Sequence, residues 1–198
     1  MDEDLGLLQR WRGGDGPAGQ ALFAKHFPDV FRFFQHKLGP DADELTQRTF
    51  TACVAAKDRF RADSTFRTYL YAIARNQLYS YLRALPKGER VDFEETSIAD
   101  LVTSLSSRIG KLRQIEQLRA ALAALPAEQQ LLLELHYWHD LDAAALAEVF
   151  EIPAGTVRVR LLRARKALRN RMGSIDAGGA AVDGLLAALS RPDSEDPE

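Results

Sequence analysis

Apolar residues along this chain return mostly at every third or fourth position, and no alternating run rich in Val, Ile and Thr stands out as a strand. The pattern predicts an all-α protein with helices near residues 3–12, 17–38, 41–57, 64–84, 107–124, 127–138, 142–150 and 154–172. Start signals support several of them. Asp41 with Glu44 three residues on reads as a capping box, and so does Pro126 ahead of the run AEQQ. Asp142 suits the N-cap of the next helix, and Pro153 fits the first turn of the last one.

The rhythm fades between Leu85 and about Ser107, where PKGERVDFEETSIADLVTSLSS combines Pro, Gly, Ser, Thr and clustered acids. Two helical domains joined by a flexible linker follow: 1–84, a linker over 85–109, and 110–172. Residues 173–198 form an acidic tail whose two ends have disorder-prone composition. Its middle, AAVDGLLAALS, can form a short helix if a surface covers its Val and Leu residues, so the tail reads as either disordered or regulatory.

Composition narrows the function classes. With 198 residues the chain can bury one sizeable core or two small ones. Its apolar runs fall far short of the about 20 residues a membrane span needs. The start, MDEDLGLLQR, is acidic and resembles no secretory or transit signal. Cys53 is the one cysteine, which excludes an internal disulfide and a multi-cysteine zinc site. These features together point to a cytoplasmic protein.

The net charge of −2 conceals segregation. Between Lys57 and Arg90 eight Lys or Arg face three acids, and Gly155–Arg171 carries seven Lys or Arg and no acid. From residue 173 onward one Arg faces six acids. Two basic islands in an otherwise acidic chain suggest a polyanionic ligand at two places.

On a helix, GTVRVRLLRARKALRNR turns Val157, Leu161, Ala164 and Leu168 inward. Arg158, Val159, Leu162, Arg163 and Lys166 share another face, flanked by Arg160, Arg165, Arg169 and Arg171. A shorter helix precedes it, with a tight break at Glu151–Ile152, which is the layout of a helix-turn-helix. Arg in a major groove pairs with guanine edges or neutralises phosphates. A solvated basic face or a membrane-surface helix is the competing reading. The preceding helix and the turn spacing favour DNA.

The stretch RFRADSTFRTYLYAIARNQLYSYLR, Arg59–Arg83, interleaves rings with cations. Phe66, Leu70, Ile73, Ala74, Leu78, Tyr81 and Leu82 make a buried stripe, with Thr68, Ala72, Arg75, Tyr79 and Arg83 opposite and Asn76 beside them. Rings stack on unpaired bases while cations follow the backbone. For Tyr69, Tyr79 and the loop Arg61–Phe66, core packing and strand binding remain open alternatives. No enzyme signature accompanies these stretches. His136 and His139 stand three apart with Asp140 beside them but no convincing third metal ligand. No glycine loop precedes Lys-Ser or Lys-Thr, and no nucleophile has a recognisable partner. Neither catalysis, metal nor cofactor is expected.

DADELTQRTF, FRTYLYAIARNQLYSYLR, LPAEQQLLLELHYWHDLD and IPAGTVRVRLLRARKALR, in this order, resemble the signatures of extracytoplasmic-function (ECF) sigma factors, the small two-domain class of the RNA polymerase sigma factor superfamily. The resemblance implies binding to core RNA polymerase and delivery of it to promoter DNA, with an anti-sigma factor as a further candidate partner. It implies a region 2-like domain over 1–84 and a region 4-like domain over 110–172. Asp43, Glu44, Gln47, Arg48 and Thr51 would then dock on the polymerase. Arg61, Ser64, Phe66, Tyr69, Arg75, Asn76 and Tyr79 would capture the separated −10 strand. Thr156, Arg158, Val159, Arg160, Leu162, Arg163, Arg165 and Lys166 would bind the −35 element. The chain departs from the family pattern at Arg48, where an acid is usual, at Val54, where Trp is frequent, and at Ala145, where Glu is common. A stand-alone helix-turn-helix regulator is the alternative, and it would have no use for a single-strand surface.

Overall fold

A computed structural model of the chain describes residues 3–60, 64–86, 91–102 and 114–172. The described residues are helical throughout, apart from turns and one isolated bridge between Ser97 and Pro126. The chain divides into two compact units: Met1–Glu89 with Ala147–Ile152, and Arg90–Leu146 with Pro153–Glu198.

The first unit begins with α1 (Glu3–Arg12) and α2 (Gly16–Leu38), joined by a short turn. Asp15 caps α2 by accepting from the Ala18 N–H at 3.1 Å, and Pro17 sits in the first turn where its missing N–H costs nothing. Gly19 is a close-approach glycine, since a Cβ there would lie 2.6 Å from the Trp11 ring. Trp11 can therefore lie against α2, its ring centroid 5.1 Å from that of Phe23 in an edge-to-face contact. A polar staple reinforces the pair. His26 lies 2.7 Å from Asp4, and Lys25 donates to both Asp4 and Glu3 at 2.7 Å. Burial pushes the Asp4 carboxyl up, but the bonds from Lys25 and His26 outweigh it and hold the group below its ordinary value.

α3 (Ala42–Ala56) and α4 (Phe66–Ala84) complete this unit, around a core of Phe33, Phe34, Leu45, Phe66, Leu70, Tyr71 and Leu78. The expected cap at Asp41 does not form. Asp41 lies in a 3₁₀ turn with helical dihedrals, and its carboxylate instead accepts a hydrogen bond from the Tyr81 hydroxyl. Thr65 caps α4, accepting from the Thr68 N–H at 3.1 Å and sharing a 2.8 Å hydroxyl contact with Thr68. Thr68 is buried, although the helical pattern places it outward.

In the second unit, residues 91–102 are structured. They fall inside the segment expected as a linker, of which 87–90 and 103–109 lie outside the described residues. Phe93, Ile98, Leu101 and Val102 are buried, and α5 (Ile98–Leu101) is capped by Ser97. This strap also starts the helix that follows α6 (Gln114–Ala123). Pro126 heads α7 (Ala127–Tyr137) with no side-chain acceptor, so the expected capping box is absent. The Ala127 and Glu128 N–H groups donate instead to the Thr96 and Phe93 carbonyls, at 2.9 and 3.0 Å. Backbone from the strap thus satisfies donors that a side-chain cap would ordinarily take.

α8 (Ala143–Phe150) is capped as expected, with the Ala145 N–H donating to Asp142 at 2.8 Å. Glu151 turns the chain at φ 57, and α9 (Ala154–Arg171) follows. The first part of the predicted helix 107–124, up to residue 113, lies outside the described residues, as does the acidic tail 173–198 with its candidate short helix.

Candidate nucleic-acid interface

α9 separates its two faces cleanly. Val157, Leu161, Ala164 and Leu168 are buried, and the helix packs mainly on α7. On the other side Arg158, Arg163 and Lys166 are exposed, along with Val159 at 48% and Leu162 at 66%. Large apolar side chains kept in water among cations contribute little to the fold. They suit contact with thymine methyls in a groove whose phosphates the cations meet.

Two of the cations expected at the −35 element have partners within their own unit. Arg160 is half-buried and donates to Glu128 on α7 and, at 3.0 Å, to Glu94 of the strap. The Arg165 guanidinium lies 5.4 Å from the Tyr137 ring centroid. Thr156 is half-exposed near the start of the helix. The helical wheel could not reveal the pairing of Arg160, because Glu94 stands 66 residues away in the chain. The acid cluster around Glu94 and Glu95 was the available signal.

In the first unit the structure separates the −10 candidates. Phe66 is fully buried, its ring 5.4 Å from His26 and 6.4 Å from Tyr69. It anchors the start of α4 in the core and presents no ring to solvent. Tyr79, which the helical pattern set opposite the buried stripe, is 6% exposed, and the Arg75 guanidinium lies 4.8 Å from its ring centroid. Tyr69 is half-buried, with its hydroxyl donating to the Ala56 carbonyl at 3.1 Å. Burial raises the pKa of its phenol. Ser64 is half-exposed, Asn76 is exposed, and Arg75 donates to Asn76 at 3.4 Å. Arg61 lies outside the described residues.

The candidates for docking share the outer face of α3. Asp43, Glu44, Gln47, Arg48 and Thr51 are all exposed, and Arg48 pairs with Glu44 one turn earlier at 2.5 Å. Glu44, Gln47, Arg48 and Thr51 line an open groove of about 460 Å³ with Ala52, Ala55 and Gln77. Val54 is 46% exposed on the same helix.

His136 donates from Nδ1 to the Leu141 carbonyl at 2.9 Å, and His139 is buried. Among the described residues no group of three potential metal ligands comes together. Burial pushes the Cys53 thiol up to about 12, so it packs as an inert apolar group. Among the described residues no helix is long and apolar enough to cross a membrane.

Two family models match the chain. Residues 22–86 match the family model Sigma-70 region 2, and residues 115–168 match Sigma-70, region 4, in that order along the chain. The chain belongs to the sigma-70 family of RNA polymerase sigma factors. Within that family it is similar to "ECF RNA polymerase sigma-E factor" of Salmonella typhimurium and of Escherichia coli K12. Each is 29% identical over 187 residues, covering 85% of this chain and 94% of the relative. The sigma-E factor of Haemophilus influenzae is 28% identical over 181 residues, covering 85% and 95%. Two solved structures share the fold. CnrH, in complex with the cytosolic domain of CnrY, aligns at TM-score 0.64 with 21% identity, covering 88% of this chain and 99% of that one. RpoE of Bartonella quintana, in complex with the anti-sigma factor NepR, aligns at 0.59 with 21% identity, covering 79% and 97%.

Proposed function

We propose that this sigma factor binds core RNA polymerase through the outer face of α3, grips the −35 element with α9, and holds the separated −10 strand along α4. The observation that carries the reading is the outward face of α9, where Val159 and Leu162 remain exposed among Arg158, Arg163 and Lys166. A structural helix would have little reason to keep that combination in water. Arg158, Val159, Leu162 and Arg163 face base edges, and Lys166 faces phosphate. Arg160 holds Glu94 and Glu128, and so fastens the strap more than it neutralises DNA.

On α4, Tyr69, Arg75 and Asn76 form the working face, with Ser64 just ahead of it. Phe66 supports them from below. Holding an unstacked strand offsets the few kcal/mol that unstacking costs, so the open state becomes populated. The protein itself makes and breaks no bond, and it works where the polymerase works, in the cytoplasm. The sigma-E relatives by name, and the RpoE–NepR complex, support core polymerase, promoter DNA and an anti-sigma factor as partners.

Adding the purified chain to bacterial core polymerase should yield promoter-specific transcripts and a footprint spanning both elements. A chain that binds a duplex site but never supports initiation would overturn the proposal.

A further inference from the structure

α1 stands before the region 2 match, which begins at residue 22, so the family comparison assigns it no task. Its last residue, Arg12, reaches across 45 positions to the far end of α3. There a 3₁₀ turn, Lys57–Arg59, ends the helix and leaves carbonyls with no helical donor. Arg12 Nε donates to the Lys57 carbonyl at 2.8 Å, and Nη2 donates to the same oxygen and to the Phe60 carbonyl at 2.5 Å. Phe60 is buried, with its ring 4.7 Å from Tyr69, and the Tyr69 hydroxyl returns to the Ala56 carbonyl. A closed circuit therefore runs from Arg12 through the α3 terminus and Phe60 to Tyr69.

We propose that Arg12 is a positioning residue for −10 recognition. It fixes the backbone around Phe60 so that Tyr69 offers the strand one orientation. This rests on the reading of Tyr69 as a strand contact. The placement of Arg12 is itself secured by three contacts of α1 with α2: Leu8 in the core, Trp11 on Gly19, and the Asp4–His26 pair. Arginine fits the task because its planar fork can serve two acceptors at once, whereas lysine offers a single compact ammonium.

The test uses the full chain with core polymerase. Parent, Arg12→Gln, Arg12→Lys and Tyr69→Ala are compared for core affinity, for open-complex yield, and for competition by −10 single strands of matched and altered sequence. Arg12→Gln should leave core affinity and the −35 footprint unchanged. It should reduce both open complex and discrimination between strands by about tenfold, the scale of one lost charge-assisted hydrogen bond. Arg12→Lys should recover part of that discrimination. A loss that is uniform across all strands and accompanied by weaker core binding marks a general folding defect and overturns the proposal, as does discrimination left intact. Tyr69→Ala separates the two ways of failing. If it abolishes discrimination while Arg12→Gln does not, only the role of Arg12 falls. If it too leaves discrimination intact, the reading of Tyr69 falls and takes the role of Arg12 with it.

Discussion

The two units hide their apolar residues differently. The first builds its core from rings, with Phe33, Phe34, Phe66 and Tyr71 all at most 1% exposed. The second is mainly leucine, with Leu131, Leu132, Leu133, Leu135 and Leu168 fully buried. Interleaved rings and cations in α4 therefore report packing first and nucleic acid second. In α9, Val159 and Leu162 stay outside beside cations. An aromatic-basic stretch must be divided residue by residue by burial, whereas the proposed −35 contact rests on Val159 and Leu162 being exposed together among Arg158, Arg163 and Lys166.

The largest effect that would test this contrast is at Phe66. If its ring belongs to the core, Phe66→Ala should lower stability by about 3–5 kcal/mol, read as a fall in the urea midpoint. An unchanged midpoint would return Phe66 to the strand-binding face. Gly19→Ala comes next, because its Cβ would meet the Trp11 ring at 2.6 Å. Displacing α1 should cost about 1–3 kcal/mol and alter Trp fluorescence.

A smaller effect concerns acid. The folded Asp4 carboxyl lies below its ordinary 3.8, so its contribution is present above that value and is lost as pH falls through the folded one. The gap in urea midpoint between the parent and Asp4→Asn should therefore close below about pH 4. A gap unchanged at low pH would show that the staple is not electrostatic.

The finest comparison lies within α9. Leu162→Ala should shift stability by no more than about 0.5 kcal/mol while weakening binding to the −35 duplex. Arg163→Ala should lower the salt slope of that binding by about one phosphate equivalent, and Arg160→Ala should leave it nearly unchanged. Equal slopes for the two variants would show that Glu94 and Glu128 release Arg160 to DNA.

Much of this arrangement is legible in the sequence, because helical periodicity is local. The inward face of α9 and the Asp142 cap need only the spacing of apolar residues and one acid before a helix. The cap expected at Asp41 failed because Tyr81, 40 positions away, takes its carboxylate. Thr68 and Tyr79 show the same limit, since a helical wheel cannot tell which sides of a helix will be covered. The strap and Arg12 left almost no trace. Arg12, and the strap's hold on the start of α7, act by hydrogen bonds to or from backbone groups, which carry no residue signature, across long separations in the chain.

The division of labour itself is tested most directly by photo-crosslinking in the polymerase complex, on a promoter probe with a pre-opened −10 bubble. Label in the −35 duplex should reach α9, and label in the separated non-template strand should reach α4 near Tyr69 and Asn76. Strand label that reaches only the second unit, or neither unit, would contradict the account.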